Sequence, residues 1–172
     1  MHIDLRKEMD NILINYGHPI ILQKTSRKIR CECWNELYQE TESNCPLCHG
    51  AAWLSRLERH RTRRVDVSNT VSEPNLLEQG RIGLYYVTGV AFYFRYTCHP
   101  QIGDILYEVG WNKYKPVNLI EIYEITHVEP ERADSGRIEY FRVATKRITL
   151  DQKIYRRIFE GNPRIYNYDI KK

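Results

Sequence analysis

The sequence predicts an α+β, mainly β chain: a small SH3-like or OB-like β-barrel with an N-terminal helix and a cysteine-rich loop module. Three observations predict it. Between residues 80 and 146, short runs rich in β-branched and aromatic residues alternate with good turn chemistry. Upstream stand two close cysteine pairs, Cys31/Cys33 and Cys45/Cys48, with eleven residues between them. Before those, apolar residues recur at helical spacing.

At 172 residues the chain can bury one ordinary core plus one small module that needs help. With 42% hydrophobic and 28% charged residues it reads as globular, and its net charge of +4 does not compel a nucleic-acid partner. No apolar stretch approaches the ~20 residues of a membrane span. The sequence shows no internal repeat and no targeting segment, so a soluble protein with no membrane partner is expected. Thirteen tyrosines against four phenylalanines suit sheet faces and protein interfaces, where a ring can be buried and its hydroxyl kept wet.

Four segments follow from these signals: an N-terminal helix over 1–18, a metal-binding loop module over 19–66, the barrel over 67–148, and a C-terminal helix with an extended arm over 149–172. In the first, Asp4 is a candidate N-cap, and Leu5, Met9, Ile12, Leu13 and Tyr16 share one face. Gly17 is expected to end the helix as a C′ residue, and Pro19 discourages its resumption. Residues 19–24 then read as a short strand.

The cysteine pairs come next. Two sulfurs one or two residues apart can face one ion, and two such pairs complete the closed tetrahedral shell of structural zinc. Pro46 fixes a turn, and Gly50 lets the backbone approach the sulfur, so that nearby amides can share the thiolate charge. One zinc ion held by Cys31, Cys33, Cys45 and Cys48 is therefore expected. Three rivals fit less well. Cys45-Pro-Leu-Cys48-His49 also matches haem attachment, but this leaves Cys31 and Cys33 unexplained. A thioredoxin-like redox pair needs a preceding buried strand, where the sequence has polar loop. Cys31 and Cys33 are too close to bridge easily as a disulfide. Trp34 and Trp53 beside the pairs are expected to form the loop's miniature core, with base stacking as the alternative.

Arg56, Arg59, Arg61, Arg63 and Arg64 make the most basic stretch. They could neutralise phosphates, or face acidic surfaces or the carboxylates of a partner subunit. Residues 67–75 are polar and turn-rich, as in a linker. Strands are expected over 81–88, 90–96, 104–109, 119–128 and 137–146, with a phase slip inside Ile120-Glu-Ile-Tyr-Glu-Ile125 that implies a β-bulge. Cys98 sits at a strand end as a half-buried structural thiol, and no motif gives His49 or His99 a chemical role. Thr149-Leu-Asp-Gln152 is a capping box that opens a helix with Leu150, Ile154 and Ile158 on one face, ended by Gly161 and Pro163. The tail from Arg164 looks extended. It and the first helix read as arms that need a partner surface, the helix with its own barrel as the alternative to a neighbouring subunit.

No phosphate loop, nucleophile elbow or open metal pair emerges, so no enzyme is expected. Instead, the order of Gly17-His-Pro-Ile-Ile-Leu-Gln-Lys, Arg30-Cys-Glu-Cys-Trp and Asn44-Cys-Pro-Leu-Cys-His-Gly resembles the N-terminal zinc loop of some tailed-bacteriophage neck proteins. Pro100-Gln-Ile-Gly-Asp-Ile-Leu-Tyr-Glu, with the run from Val128 to Phe141, is similar to their barrel, so the resemblance spans most of 17–146. His49-Gly50-Ala51-Ala52 departs from the Gly-Thr-Gly common in that group. The resemblance implies a head-completion or stopper protein: a homo-oligomeric ring of six or twelve copies in the virion neck. It would lie between portal or adaptor and the tail-terminator or tail proteins, and help to retain packaged DNA. It would be made in the host cytoplasm. The main alternative is a cytosolic zinc-ribbon protein that binds nucleic acid through residues 56–64.

Overall fold

The computed structural model of the chain describes residues 4–42, 45–66, 90–149 and 164–169. The strand expected over 81–88 and the helix expected after Thr149 lie outside the described residues, as does the linker over 67–75.

The helix α1 runs Leu5–Tyr16 and is followed by seven strands: β1 His18–Arg30, β2 Trp53–Asp66, β3 Val90–Arg95, β4 Ile105–Asn112, β5 Lys115–Arg132, β6 Ile138–Ile148 and β7 Ile165–Asn167. Six of them pair antiparallel in the order β1-β4-β5-β6-β3-β2, and β2 returns to β1, so the sheet closes into a ring. In that circuit every strand has a hydrogen-bonded neighbour on each side. The fold is mainly β, as the sequence predicts, but the ring is not a regular barrel. β1 meets β4 over only Ile21 to Gln23, and β2 meets β3 only over Arg63 to Asp66. β2 serves two partners in turn, β1 along 53–62 and then β3.

Alternation along the strands makes two apolar clusters. Ile20, Leu22, Phe92, Phe94, Leu106, Tyr123, Ile125 and Val143 fill the inside of the ring. Ile21, Leu57, Tyr107 and Val109 face outward with Ile122, and Trp111, Leu119, Ile148 and Ile165 pack against them. One strand serves both clusters because successive side chains point to opposite faces.

The bulge read from the sequence is present. Glu108 pairs with Glu121 and Val109 with Leu119, so Ile120 is the extra residue and its side chain turns outward. A second bulge at Thr126 puts Ile125 opposite Thr145 and His127 opposite Ala144.

Three expectations change. β1 and β2 belong to the ring, so the expected break between a loop module ending at 66 and a barrel starting at 67 does not divide the sheet; only the stretch between these two strands stands off it. Gly17 has an extended backbone, φ −84°, not the left-handed cap conformation; a Cβ there would lie 2.4 Å from the Leu13 carbonyl and 2.9 Å from that of Thr62. The residue is glycine because two backbones meet there. Finally, the terminal elements pack on their own chain. Leu13 is fully buried, Arg6 donates to the Ile138 carbonyl at 2.7 Å, and Asp10 pairs with Arg95 at 2.7 Å. β7 adds parallel to β2 along 57–59, and Asp169 bridges Arg61 at 3.0 Å and Arg59 at 3.4 Å. An acid five residues past the start of the tail finds two arginines 110 and 108 positions away, which no local signal announces.

Candidate metal centre

Residues 31–52 form the loop between β1 and β2. Arg30 pairs with Trp53 across its root, and the Cys31 amide donates to the Ala52 carbonyl at 3.0 Å. Trp34 and Trp53 do not form the expected miniature core. They grip the Arg30 guanidinium, which stands 4.3 Å from one indole centroid and 4.0 Å from the other. Such a cation–π stack stiffens the stem. The small core is made by the sulfurs themselves, with Leu54 packed against them.

Sγ atoms of Cys31, Cys33, Cys45 and Cys48 all lie within 4.8 Å of one another. Cys31 and Cys45 are 3.6 Å apart, and Cys33 and Cys48 are 3.4 Å apart. A tetrahedral ion with metal–sulfur bonds of about 2.3 Å requires sulfur–sulfur edges of ~3.8 Å. The four side chains therefore fit one metal ion after small adjustments. The two short contacts exceed a disulfide bond of ~2.05 Å, and all four thiols are free. The first pair is drawn into the same cluster as the second, which the haem and redox readings of Cys45/Cys48 do not explain.

The second pair is held in a tight turn. His49 donates to the Cys45 carbonyl at 2.9 Å, Ala51 donates to that of Cys48 at 2.9 Å, and Gly50 takes φ +74°. Burial by itself would raise the Cys45 thiol, but the amides of Cys48 and Leu47 and the side chains of Cys33 and Cys31 outweigh it and bring the pKa down to about 7. Cys33 goes the other way, to about 12, through burial and competition with the other three sulfurs. Burial also raises Cys48, although the Gly50 amide faces its sulfur and opposes this. Four thiols crowded together cannot all ionise unless a cation shares their charge, so metal binding would release protons. Gly50 thus has the role read from the sequence: its backbone turns an amide onto a sulfur.

The five arginines are not gathered on one face. Arg64 binds Glu108 at 2.9 Å and Glu121 at 3.0 Å, Arg59 and Arg61 hold Asp169, and Arg56 pairs with Glu58. Arg59 is buried against Trp111, 4.4 Å from its ring. Arg63 is exposed, with its guanidinium 5.6 Å from the Tyr16 ring. Cys98 is fully buried, which pushes its thiol pKa up and keeps it unreactive. His99 packs edge-on to Phe141.

Sequence reasoning missed two polar clusters that flank the inner core. At one end, Glu58 accepts from His60 at 2.7 Å and pairs with Lys24 at 3.4 Å. At the other, Glu108 joins Arg64 to His18, 3.0 Å from the imidazole. The period-two run Glu58, His60, Thr62, Arg64 was the available signal. No protein-family model matches this chain, and no curated protein matches it either.

Proposed function

We propose that the chain is a structural component of a tailed-phage virion, a head–tail connector of the head-completion or stopper kind, with one zinc ion as a staple. The observation behind the metal staple is the four-cysteine cluster. Four thiolates around one ion would fill a tetrahedral shell and leave no position for water or substrate, which suits a site that holds a loop. Thiolate ligands in tetrahedral array favour zinc, which brings no redox activity. The choice of a neck protein rests on the resemblance of 17–146, in order, to the zinc loop and barrel of that group. In this role the chain forms a ring of six or twelve copies between portal or adaptor and the tail proteins, and packaged DNA touches it only in passing.

The zinc-ribbon reading needs arginines free for phosphate. Among the described residues, Arg56, Arg59, Arg61 and Arg64 already face carboxylates, which favours the connector. Proteomics of purified virions with a reconstruction of the neck tests the proposal. Stoichiometric presence and ring density that fits this fold support it. A chain absent from the particle, with tight sequence-selective DNA binding at physiological salt, overturns it.

A further inference from the structure

The net charge of +4 hides a strong asymmetry. From Cys31 to Ser55 the sequence has four glutamates, Glu32, Glu36, Glu40 and Glu42, and no lysine or arginine. That stretch stands at −4, which leaves +8 on the remainder, and four thiolates around a divalent ion add two more negative charges to the loop. The loop also ends in an apolar tip. Leu37 is 90% exposed and Tyr38 is 75% exposed, while Asn35 Oδ1 accepts from both their amides, at 3.0 and 3.3 Å. A turn so tied, on a stem locked by the Trp34–Arg30–Trp53 stack, presents two large side chains to solvent in a fixed attitude.

A surface of complementary chemistry lies on the outer side of the ring. A shallow groove is lined by Ile120, Ile122, Ile148, Thr149, Arg147 and Glu121. The bulge at Ile120 shapes it, by turning an isoleucine to solvent beside the buried Ile122. Lys146 and Arg147 are exposed at its margin, and the one acid in the lining, Glu121, is held by Arg64 and Arg147 at 3.0 and 2.9 Å.

We propose that the acidic, apolar tip of the cysteine loop docks in this basic, apolar groove of a second copy of the chain. Leu37 and Tyr38 lie against Ile120 and Ile148, and Glu36 and Glu40 face Lys146 and Arg147. Plug and socket are different surfaces, so the contact is head-to-tail and repeats around an axis. The inference rests on the ring assembly proposed above. It gives the metal a purpose: the ion keeps the plug rigid.

Two measurements on the full-length protein test it. In the first, self-association is followed by sedimentation for Glu36→Lys/Glu40→Lys, for Lys146→Glu/Arg147→Glu, and for an equal mixture of the two. Each variant alone should associate about tenfold more weakly, and the mixture should recover hetero-pairing, because only there do opposite charges meet. In the second, a photoreactive phenylalanine replaces Tyr38 in the otherwise unaltered chain, mixed with isotope-labelled protein. Cross-links should join it to peptides around 120–122 and 146–149 of the other copy. Absence of such inter-copy links, or a mixture no tighter than its components, overturns the docking. A ring in the virion neck built on other contacts would overturn the docking and leave the connector reading intact.

Discussion

Arg64 on β2 donates a 2.9 Å hydrogen bond to Glu108 on β4, across the intervening strand β1. The same arginine reaches Glu121 on β5 at 3.0 Å, so one guanidinium ties three strands of the ring together. Desolvation would lower the Arg64 pKa, but Glu108 and the other nearby acids outweigh it and raise it.

Arg64→Ala should therefore destabilise the fold and not merely thin a basic patch. It leaves the buried Glu108 with His18 as its remaining ion-pair partner among the described residues. Because Arg64 is itself one-third exposed, we expect about 2 kcal/mol, below the 3–5 kcal/mol of a fully buried pair. Urea denaturation checks this; an unchanged midpoint would show the bridge to be idle.

Metal removal should unfold the loop and spare the ring. The inner cluster shares no residue with the sulfur cluster, and ring closure does not pass through residues 31–52. Elemental analysis should find one zinc per chain, and Cys45→Ser should lose it. The loop's folding energy from metal is on the order of 10 kcal/mol. Hydrogen exchange after chelation should show protection lost near Cys31–Ala52 contacts and kept in β3 and β6.

Gly17→Ala should cost about 2 kcal/mol, in the range of overpacked sites. The added methyl meets backbone carbonyls of Leu13 and Thr62, neither of which can rotate away. Thermal unfolding would reveal it. A neutral result would mean that α1 shifts freely on the ring.

Acid should weaken the cluster around Glu58. Burial alone would raise its pKa, but the His60 hydrogen bond and the charges of Lys24 and Arg56 outweigh it, so the carboxyl sits below its ordinary 4.5. A depressed folded value means that stability is present in full above the ordinary pKa and is lost as pH falls below about 4.5 through the folded one. Glu58→Gln should flatten that acid limb of the stability curve while leaving stability insensitive to pH there. Chemical denaturation at a series of pH values, for the parent and the variant, measures it.

DNA binding should be weak and nonspecific. With four of the five arginines at carboxylates, the salt dependence of affinity should correspond to only one or two released counterions. Titration of duplex DNA across salt concentrations reads that slope directly.

Much of this was legible in local sequence. Cys31, Cys33, Cys45 and Cys48 announce a single cluster because ligand spacing within a loop is itself a geometric constraint, and the helix over Leu5–Tyr16 follows from a 3.6-residue stripe. Four of the expected strands appear as β3 to β6, and even the slip at Ile120 was visible as a break in alternation. What the sequence could not decide is which distant partner each exposed-looking group meets. Whether Arg59 and Arg61 meet phosphates or carboxylates is open until Asp169 is brought beside them, and whether α1 docks on its own chain or on a neighbour is open until Leu13 finds the ring. Pattern reports which face of an element is apolar or charged; only ring closure decides what lies opposite that face. The physical reason is that strand pairing and ion pairing join residues by distance in space, and here the pairs that matter are separated by tens to more than a hundred positions in the chain.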